Sequence, residues 1–273
     1  MGGMAAGGIA IALDDNDSDR RQYDPTPVEL TYDVSDFDQV STAGPQDIFI
    51  TRGDEFSVRF EGNQGVADQM EAVVEDGRLL IRPHPERFSG DWNRMTNADF
   101  HITMPELNRL WIQGSGDISV DEVQSEDFEA IISGTGEISV DRLEVEDATF
   151  RITGAGNLDI SGTADEVDIS ISGAGDVQAQ DLIVQDAVLS ITGYGEVELT
   201  AQNEAEISAS GAGEVDIYGS ATCSISQSGF ADVSCENAQA EPADEEAVAI
   251  EADENGDTEL DIAIEAVEEA LID

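Results

Sequence analysis

Ala130-Ile-Ile-Ser-Gly-Thr-Gly-Glu-Ile-Ser-Val140 returns 20 residues later as Phe150-Arg-Ile-Thr-Gly-Ala-Gly-Asn-Leu-Asp-Ile160. In both copies, apolar and polar residues alternate on each side of a Gly-x-Gly, and alternation with a period of two is typical of β-strands. Glycine pairs are typical of corners where a side chain would clash or where φ must be positive. Each copy therefore predicts two strands joined by a tight corner.

The same corner recurs through residues 111–236. Successive first glycines are 20, 20, 19, 20, 18 and 18 residues apart, and the seventh copy is degraded to Gly229-Phe-Ala231. A regular period of this length is the signature of a repeat architecture in which each unit packs against its neighbours. The glycines of the six intact corners are Gly114, Gly116, Gly134, Gly136, Gly154, Gly156, Gly173, Gly175, Gly193, Gly195, Gly211 and Gly213.

Aligned on the first glycine of each corner, the copies place similar apolar residues in the same columns. We predict coils stacked about 4.8 Å apart, with these columns inside and residues 141–147 forming a third side of the coil. The column four residues before the glycine holds Leu110, Ala130, Phe150, Ile169, Leu189, Ile207 and Ile225, and the column four residues after it holds Ile118, Ile138, Leu158, Val177, Val197, Val215 and Val233.

The predicted fold is therefore all-β, a right-handed single-stranded parallel β-helix with coils of 18–20 residues. The hand follows because parallel crossover connections are nearly always right-handed. An antiparallel β-roll or a propeller is the alternative. It fits the pattern less well, because hairpins would oppose neighbouring strands and blur the columns.

Two outward-facing sets of positions are equally regular. Positions one and three before the corner are rich in Ser and Thr, which predicts a flat hydroxyl face that either is simply solvated or binds ice or a glycan. Three residues after the corner stands an acidic column, whose stacked like charges should repel unless cations or high salt relieve the repulsion. Its weak candidates for binding calcium or another cation through oxygen ligands are Asp117, Glu137, Asp176, Glu196, Glu214 and Asp232.

The chain is strongly acidic, with 61 Asp and Glu against 11 Lys and Arg and a formal net charge of −50 over 273 residues. This charge argues against nucleic acid as a partner and disfavours direct adhesion to anionic membranes. It indicates either adaptation to a salty medium, where screening removes self-repulsion, or a dedicated cation-binding role.

Outside the regular coils, the sequence divides into three further segments. Residues 1–22 form a flexible amino terminus, and the signal-peptidase-like Ala10-Ile-Ala12 indicates either the remnant of an export signal or a plain Gly/Ala tail. Residues 23–110 lack the strict period and predict irregular entry coils and a cap, with a surface loop at 83–97. Residues 237–273 form an acidic tail that fits a hairpin, a helix or disorder, and no segment predicts a membrane span.

Both cysteines of the chain fall in inward columns of the last coil. Cys223 lies six residues before Gly229, and Cys235 lies six residues after it. Their sulfurs are expected to face each other, which predicts either a disulfide in an oxidising compartment or two buried thiols. The spacing is not that of a zinc site.

No catalytic constellation stands out from the sequence. Carboxylate pairs arise everywhere by chance in so acidic a chain, and His84 and His101 are interpreted as structural. The chain has no Gly-x-Ser-x-Gly motif, and the Gly-x-Gly corners lack the third glycine and the helix of a dinucleotide site. We therefore predict that the protein is not an enzyme and has no cofactor beyond weakly bound cations.

Several phrases resemble a known family. They are Phe37-Asp-Gln-Val40, Gly77-Arg-Leu-Leu-Ile81 and, above all, Ile102-Thr-Met-Pro-Glu-Leu-Asn-Arg-Leu110 followed by Gly114-Ser-Gly-Asp-Ile118. Over residues 35–235 the chain resembles the putative auto-transporter adhesin, head GIN domain family. The resemblance implies a β-helical, exported bacterial protein of the cell envelope, and it supplies no catalytic residues. The extreme acidity and the acidic tail depart from it.

The expected role is thus structural or adhesin-like, in a non-enzymatic β-helix of the periplasm, the outer-membrane surface or the extracellular medium. The expected partner is a surface glycan or an envelope protein. A β-helical enzyme acting on polysaccharide and a cation-binding acidic solenoid are the two alternatives. An open groove that combines clustered acids with an aromatic platform would favour the enzyme.

Overall fold

The computed structural model describes residues 24–91, 95 and 98–235, so the predictions for residues 1–22 and 237–273 lie outside the described residues. In the described part, all regular secondary structure is β-strand except one short helix, α1 (Gln64–Ala67). Its strands are β1 (Pro27–Tyr32), β2 (Gln39–Thr42), β3 (Asp47–Arg52), β4 (Ser57–Asn63), β5 (Met70–Glu75), β6 (Arg78–Pro83), β7 (Asp99–Met104), β8 (Arg109–Ile112), β9 (Ile118–Val120), β10 (Val123–Gln124), β11 (Asp127–Ile132), β12 (Glu137–Ile152), β13 (Asn157–Ile171), β14 (Val177–Ile191), β15 (Tyr194–Ala209), β16 (Ala212–Gly219), β17 (Thr222–Gln227) and β18 (Asp232–Cys235).

The regular coils stack in parallel, as the columns predict. Phe150 pairs in register with Ala130 on one side and with Ile169 on the other, and all three side chains are buried. Strand pairs β11–β12, β12–β13, β13–β14 and β14–β15 are all parallel. The β-solenoid is confirmed, and the antiparallel alternative is wrong for these coils.

Each long strand covers three sides of its coil. β12 pairs with β13 in register up to Val140, shifts register, and resumes pairing from Leu143. The shift marks a bend, and Leu143 and Val145 beyond it are buried. The predicted third side is therefore present. We call the sheet surface formed by the strands before each Gly-x-Gly corner the pre-corner face, and the surface formed by the strands after it the post-corner face.

The corner glycines are required by close approach of neighbouring backbones rather than by positive φ. A Cβ on Gly134 would lie 1.7 Å from the carbonyl oxygen of Gly114, and a Cβ on Gly154 would lie 1.9 Å from that of Gly134. Gly229, in the degraded last corner, has a positive φ of 93°. Of the two explanations that the sequence left open, close approach therefore applies to the intact corners.

The amino-terminal strands do not stack in chain order. β2 and β3 flank a corner at Gly44-Pro45-Gln46 and pair in register with β8 and β9, so this coil adjoins the one at Gly114. β6 and β7, which follow later in the chain, pair with the other side of β2 and β3. The antiparallel strands β5, β4 and β1 then extend the two sheets beyond β6 and β7. Antiparallel strands thus cover the parallel edges at this end.

The Met-Pro-Glu-Leu phrase connects β7 to β8 across the intervening coil. Met104 and Leu107 are buried, which anchors the connection in the core. The amide of Gly53 donates to the carbonyl of Met104 at 3.0 Å, and the amide of Asn108 donates to the carbonyl of Asp38 at 2.8 Å. Core burial and backbone hydrogen bonds therefore explain why this connection has a specific sequence.

Two expectations about side-chain exposure are corrected. Met95, in the segment expected to form a surface loop, is fully buried in the hydrophobic core. Ile225, expected in an inward column, is 45% exposed, whereas Ile207 and Leu189 in the same column are buried. The column rule depends on a neighbouring coil on both sides, and no described coil follows the one that contains Ile225.

Candidate functional site

The acidic column forms a row of side chains across the post-corner face, which we call the acid ladder. At the amino-terminal end, β7 lies between β3 and β4, so Asp99 pairs with Asp47 and with Glu61, and Glu61 pairs with Glu29. Asp47 stands three residues after Gly44 and follows the column spacing, whereas the periodic pattern could not identify Glu29, Glu61 and Asp99, because their strands lie outside the regular repeat. The ladder consists of Glu29, Glu61, Asp99, Asp47, Asp117, Glu137, Asp176, Glu196, Glu214 and Asp232, and Asn157 interrupts it.

Several ladder carboxylates accept hydrogen bonds from the backbone of the next coil. The amide of Glu137 donates to Asp117 Oδ1 at 2.9 Å, and the amide of Glu196 donates to Asp176 Oδ1 at 3.0 Å. Among the described residues, no group of three or more His, Cys, Asp or Glu side chains is arranged to hold a metal ion. Weak cation binding along the ladder therefore stays a prediction.

At the capped end, part of the ladder lines an open groove of about 650 Å³, between Glu29, Asp47, Glu61 and Asp99. Partial burial raises the pKa of Asp99 above its ordinary value, and the nearby carboxylates of Asp47 and Glu61 raise it further. No aromatic side chain lines this groove among the described residues. The groove thus brings clustered acids together without the aromatic platform expected of a polysaccharide-acting enzyme.

Replacing Asp99 by asparagine is expected to raise the melting temperature at neutral pH and low salt. A folded-state pKa above the ordinary 3.8 means that Asp99 destabilises the fold increasingly as pH rises through that raised pKa. The gain should therefore vanish below pH 3.8 and shrink with added salt. Thermal melts at several pH values test this. Asp159→Asn is the control, because its strand partners Ser139 and Gln178 carry no charge. If Asp159→Asn raised the melting temperature as much as Asp99→Asn does, the charge of Asp99 would not be specifically destabilising.

The pre-corner face, unlike the post-corner face, has a region without acidic side chains. Its two outward columns, one and three residues before the first corner glycine, contain no carboxylate in any coil, although the chain has 61 Asp and Glu. We call these sixteen positions the carboxylate-free strip. They are Ser41, Ala43, Trp111, Gln113, Ile131, Ser133, Arg151, Thr153, Ser170, Ser172, Ser190, Thr192, Ser208, Ser210, Ser226 and Ser228.

At its amino-terminal end, the strip's side chains contact one another and the neighbouring Arg78. The Trp111 ring lies 5.9 Å from the guanidinium carbon of Arg78, and its Nε1 donates to Ser133 Oγ at 3.1 Å. Gln113 Nε2 donates to Ser41 Oγ at 3.1 Å. Trp111 was a candidate for the aromatic platform of a polysaccharide-acting enzyme, but it lies on the pre-corner face, away from the acidic groove. The other tryptophan, Trp92, is outside the described residues.

Toward the carboxyl end, the strip becomes a regular grid of hydroxyls. Ser190 pairs in register with Ser170 and with Ser208 on the neighbouring strands. Within the described residues, the hydroxyls of Ser190 and Thr192 have no protein hydrogen-bond partner, whereas Ser210 Oγ has a long contact of 3.5 Å to a backbone carbonyl. These exposed hydroxyls are therefore available to a ligand or to water.

Two exposed apolar side chains flank the part of this grid formed by Ser190 and Thr192. Val188, two residues before Ser190 on the same strand, is 40% exposed. Tyr194, the middle residue of its corner, is 67% exposed. The period predicts the hydroxyls, and the signals for these two exposed side chains are the outward column of Val188 and the corner position of Tyr194.

Cys223 and Cys235 form a disulfide in the structure, with their Cα atoms 6.6 Å apart. Both side chains are partly buried and pack against the hydrophobic core. The bond connects β17 and β18, the last two described strands. That it forms in the native compartment stays a prediction.

Replacing both cysteines by serine is expected to lower the free energy of unfolding by about 2–3 kcal/mol, because the bond closes a short loop in the unfolded chain. Chemical denaturation of oxidised wild type and of the double variant measures the effect, and reductant should destabilise only the wild type. Alkylation followed by mass analysis, before and after reduction, tests the bond itself. Two alkylated thiols before reduction, in protein taken from its native compartment, would contradict the prediction.

These features define a class: a parallel β-solenoid with an acid ladder on one sheet face and a carboxylate-free strip on another. A sequence model of the putative auto-transporter adhesin, head GIN domain family matches residues 36–221, and the chain belongs to that family. The family resemblance drawn from the Met-Pro-x-Leu and Gly-Ser-Gly-Asp phrases is thereby confirmed.

Solved structures share the fold at low sequence identity. A putative adhesin from Bacteroides fragilis is 19% identical with a TM-score of 0.73, and the match covers 78% of this chain and 99% of that one. A putative lipid binding protein from Parabacteroides distasonis is 20% identical with a TM-score of 0.64, covering 77% and 97%. A putative adhesin from Parabacteroides merdae is 15% identical with a TM-score of 0.61, covering 77% and 96%. Comparison with curated proteins finds no match.

Proposed function

We propose that this protein is exported and serves, without catalysis, as an adhesin-like β-solenoid that contacts another surface through its carboxylate-free strip. The strip carries the proposal, because its sixteen positions, all but Ser41 at least partly exposed, hold no carboxylate on a chain with a net charge of −50. The acid-coated faces repel anionic surfaces, whereas the strip allows an uncharged partner to approach the sheet closely.

The comparisons support this role without identifying the partner. The family and two of the structural neighbours are putative adhesins, and a third neighbour is a putative lipid binding protein. The net charge of this chain disfavours anionic lipid headgroups, so we favour the adhesin-like role. Among the described residues, no helix is both long enough and apolar enough to cross a membrane.

Adding negative charge to the strip should weaken surface attachment. Ser190→Glu combined with Ser208→Glu places two carboxylates on paired strands of the strip. Gln178→Glu combined with Gln180→Glu is the matched control, because it adds the same charge to exposed positions of the post-corner face. The expected result is that cells producing the strip variant attach less, while cells producing the control attach like wild type.

The same cells also test the compartment. Protease treatment of intact cells and cell fractionation should place the protein outside the cytoplasm. A purely cytoplasmic protein, or a strip variant that supports attachment as well as the wild type does, would overturn the proposed function. Melting temperatures of both variants show whether a loss reflects binding or misfolding.

A further inference from the structure

We infer that the part of the strip centred on Ser190 and Thr192 binds an uncharged saccharide chain, with the ring of Tyr194 as the stacking platform and Val188 at the opposite edge. This inference rests on the proposed function and names the ligand class of the same face. It depends on three observations: the free hydroxyls, the two exposed apolar side chains, and the distribution of carboxylates around them.

The hydroxyl grid suits a ligand that is itself a regular array of hydroxyls. Ser170, Ser190 and Ser208 are in register on adjacent strands, so their hydroxyls repeat at about the 4.8 Å strand spacing. Each hydroxyl donates one hydrogen bond and accepts two, which matches the donor and acceptor capacity of a sugar hydroxyl. Direct or water-mediated bonds can therefore form along the chain of coils without reorganising the sheet.

The exposed apolar side chains give the grid an attachment point that a merely solvated face lacks. Tyr194 is 67% exposed at the corner that follows Ser190 and Thr192. A tyrosine offers a large, rigid, amphipathic surface, and this residue type is enriched at binding hot spots. The apolar C–H face of a sugar ring can stack on it while the sugar hydroxyls reach the grid. Val188, 40% exposed, adds apolar surface on the far side of the two hydroxyls.

The surrounding charges select an uncharged ligand. Val188 pairs with Asp168 on one neighbouring strand and with Glu206 on the other, so carboxylates border the strip. These groups accept hydrogen bonds from neutral sugar hydroxyls and repel uronic or sialic acids. A second copy of the chain is disfavoured as the occupant, because it carries the same net charge of −50.

Binding of the purified chain to an array of saccharides tests the inference. The array pairs neutral glycans with carboxylated counterparts, including cellulose oligosaccharides with carboxymethyl cellulose, and methyl-esterified with free polygalacturonan. Wild type is expected to bind one or more neutral members in preference to their carboxylated partners. Tyr194→Ala should weaken that binding by about tenfold or more. Ile183→Ala is the matched control, because Ile183 is 46% exposed on the same strand but outside the strip, and it should leave binding within about twofold.

Each outcome decides the inference. Failure to bind any neutral glycan, equal binding of carboxylated partners, or full binding by Tyr194→Ala would overturn it. Loss of cell attachment in Ser190→Glu with Ser208→Glu, without glycan binding by wild type, would overturn the inference but leave the proposed function in place, with a protein as the partner. If both attachment and glycan binding are indifferent to the strip, both proposals fall.

Discussion

Gly154→Ala is expected to lower the free energy of unfolding by about 4 kcal/mol or more, or to prevent folding. The added Cβ would lie 1.9 Å from the carbonyl oxygen of Gly134 and 2.7 Å from that of Ser133. Both neighbours are backbone atoms, so no flexible side chain can move aside. Separating the two coils would stretch the bond from the Ala155 amide to the Gly134 carbonyl, which is 2.9 Å long. Urea denaturation followed by circular dichroism measures the loss.

Ala155→Val provides the control at the same corner. Ala155 is exposed, so the valine adds more atoms than the test substitution without meeting the neighbouring coil. Its stability is expected to stay within about 0.5 kcal/mol of the wild type. If Gly154→Ala also stayed within that range, the stacked corners would be able to separate freely. The close-approach explanation of the glycine columns would then be wrong.

The regular coils could be predicted from sequence because one local rule applies to every coil. A residue such as Phe150 lies inside because the residues at the same position in the coils on both sides also lie inside. Each copy of the repeat therefore provides independent evidence for the same geometry. The single copy of the column spacing near Gly44 was likewise recognisable, because its strands join the parallel stack in register with β8 and β9.

The cap could not be predicted in the same way. β6 and β7 follow β2 and β3 in the chain but pack outside them, and no residue of either pair specifies that order. The order depends on tertiary packing, including the buried Met104 and Leu107 of the connection to β8. For the same reason, the position of Asp99 between Asp47 and Glu61 could not be predicted from the sequence.

The candidate site was predicted in part. The Ser and Thr columns and the acidic column follow from the period, and each lies on the face that the period assigns to it. The absence of acids from the strip is also readable from sequence, once the columns are aligned. The exposure of Val188 is readable too, because its neighbour Leu189 lies in an inward column and side chains alternate along a strand.

An isoleucine in an interior coil should contribute much more to the free energy of unfolding than one in the last described coil. Ile169 and Ile225 occupy the same column, but Ile169 is fully buried and Ile225 is 45% exposed. Ile169→Ala is expected to cost about 3–4 kcal/mol of unfolding free energy, from lost apolar burial plus the cavity left behind. Ile225→Ala is expected to cost about 1 kcal/mol or less, because its side chain is only partly removed from water.

This pair is its own matched control, since residue type, substitution and column are identical. Chemical denaturation of the two variants gives both values, and because solenoid stability is a sum over coils and their interfaces, the difference reports the covering of each coil. A cost for Ile225→Ala equal to that for Ile169→Ala would mean that the last coil is covered in solution by something other than the described residues. A small cost for both would instead mean that the aliphatic columns do not form a closely packed interior, and the stacking on which the strip and the ladder depend would be wrong.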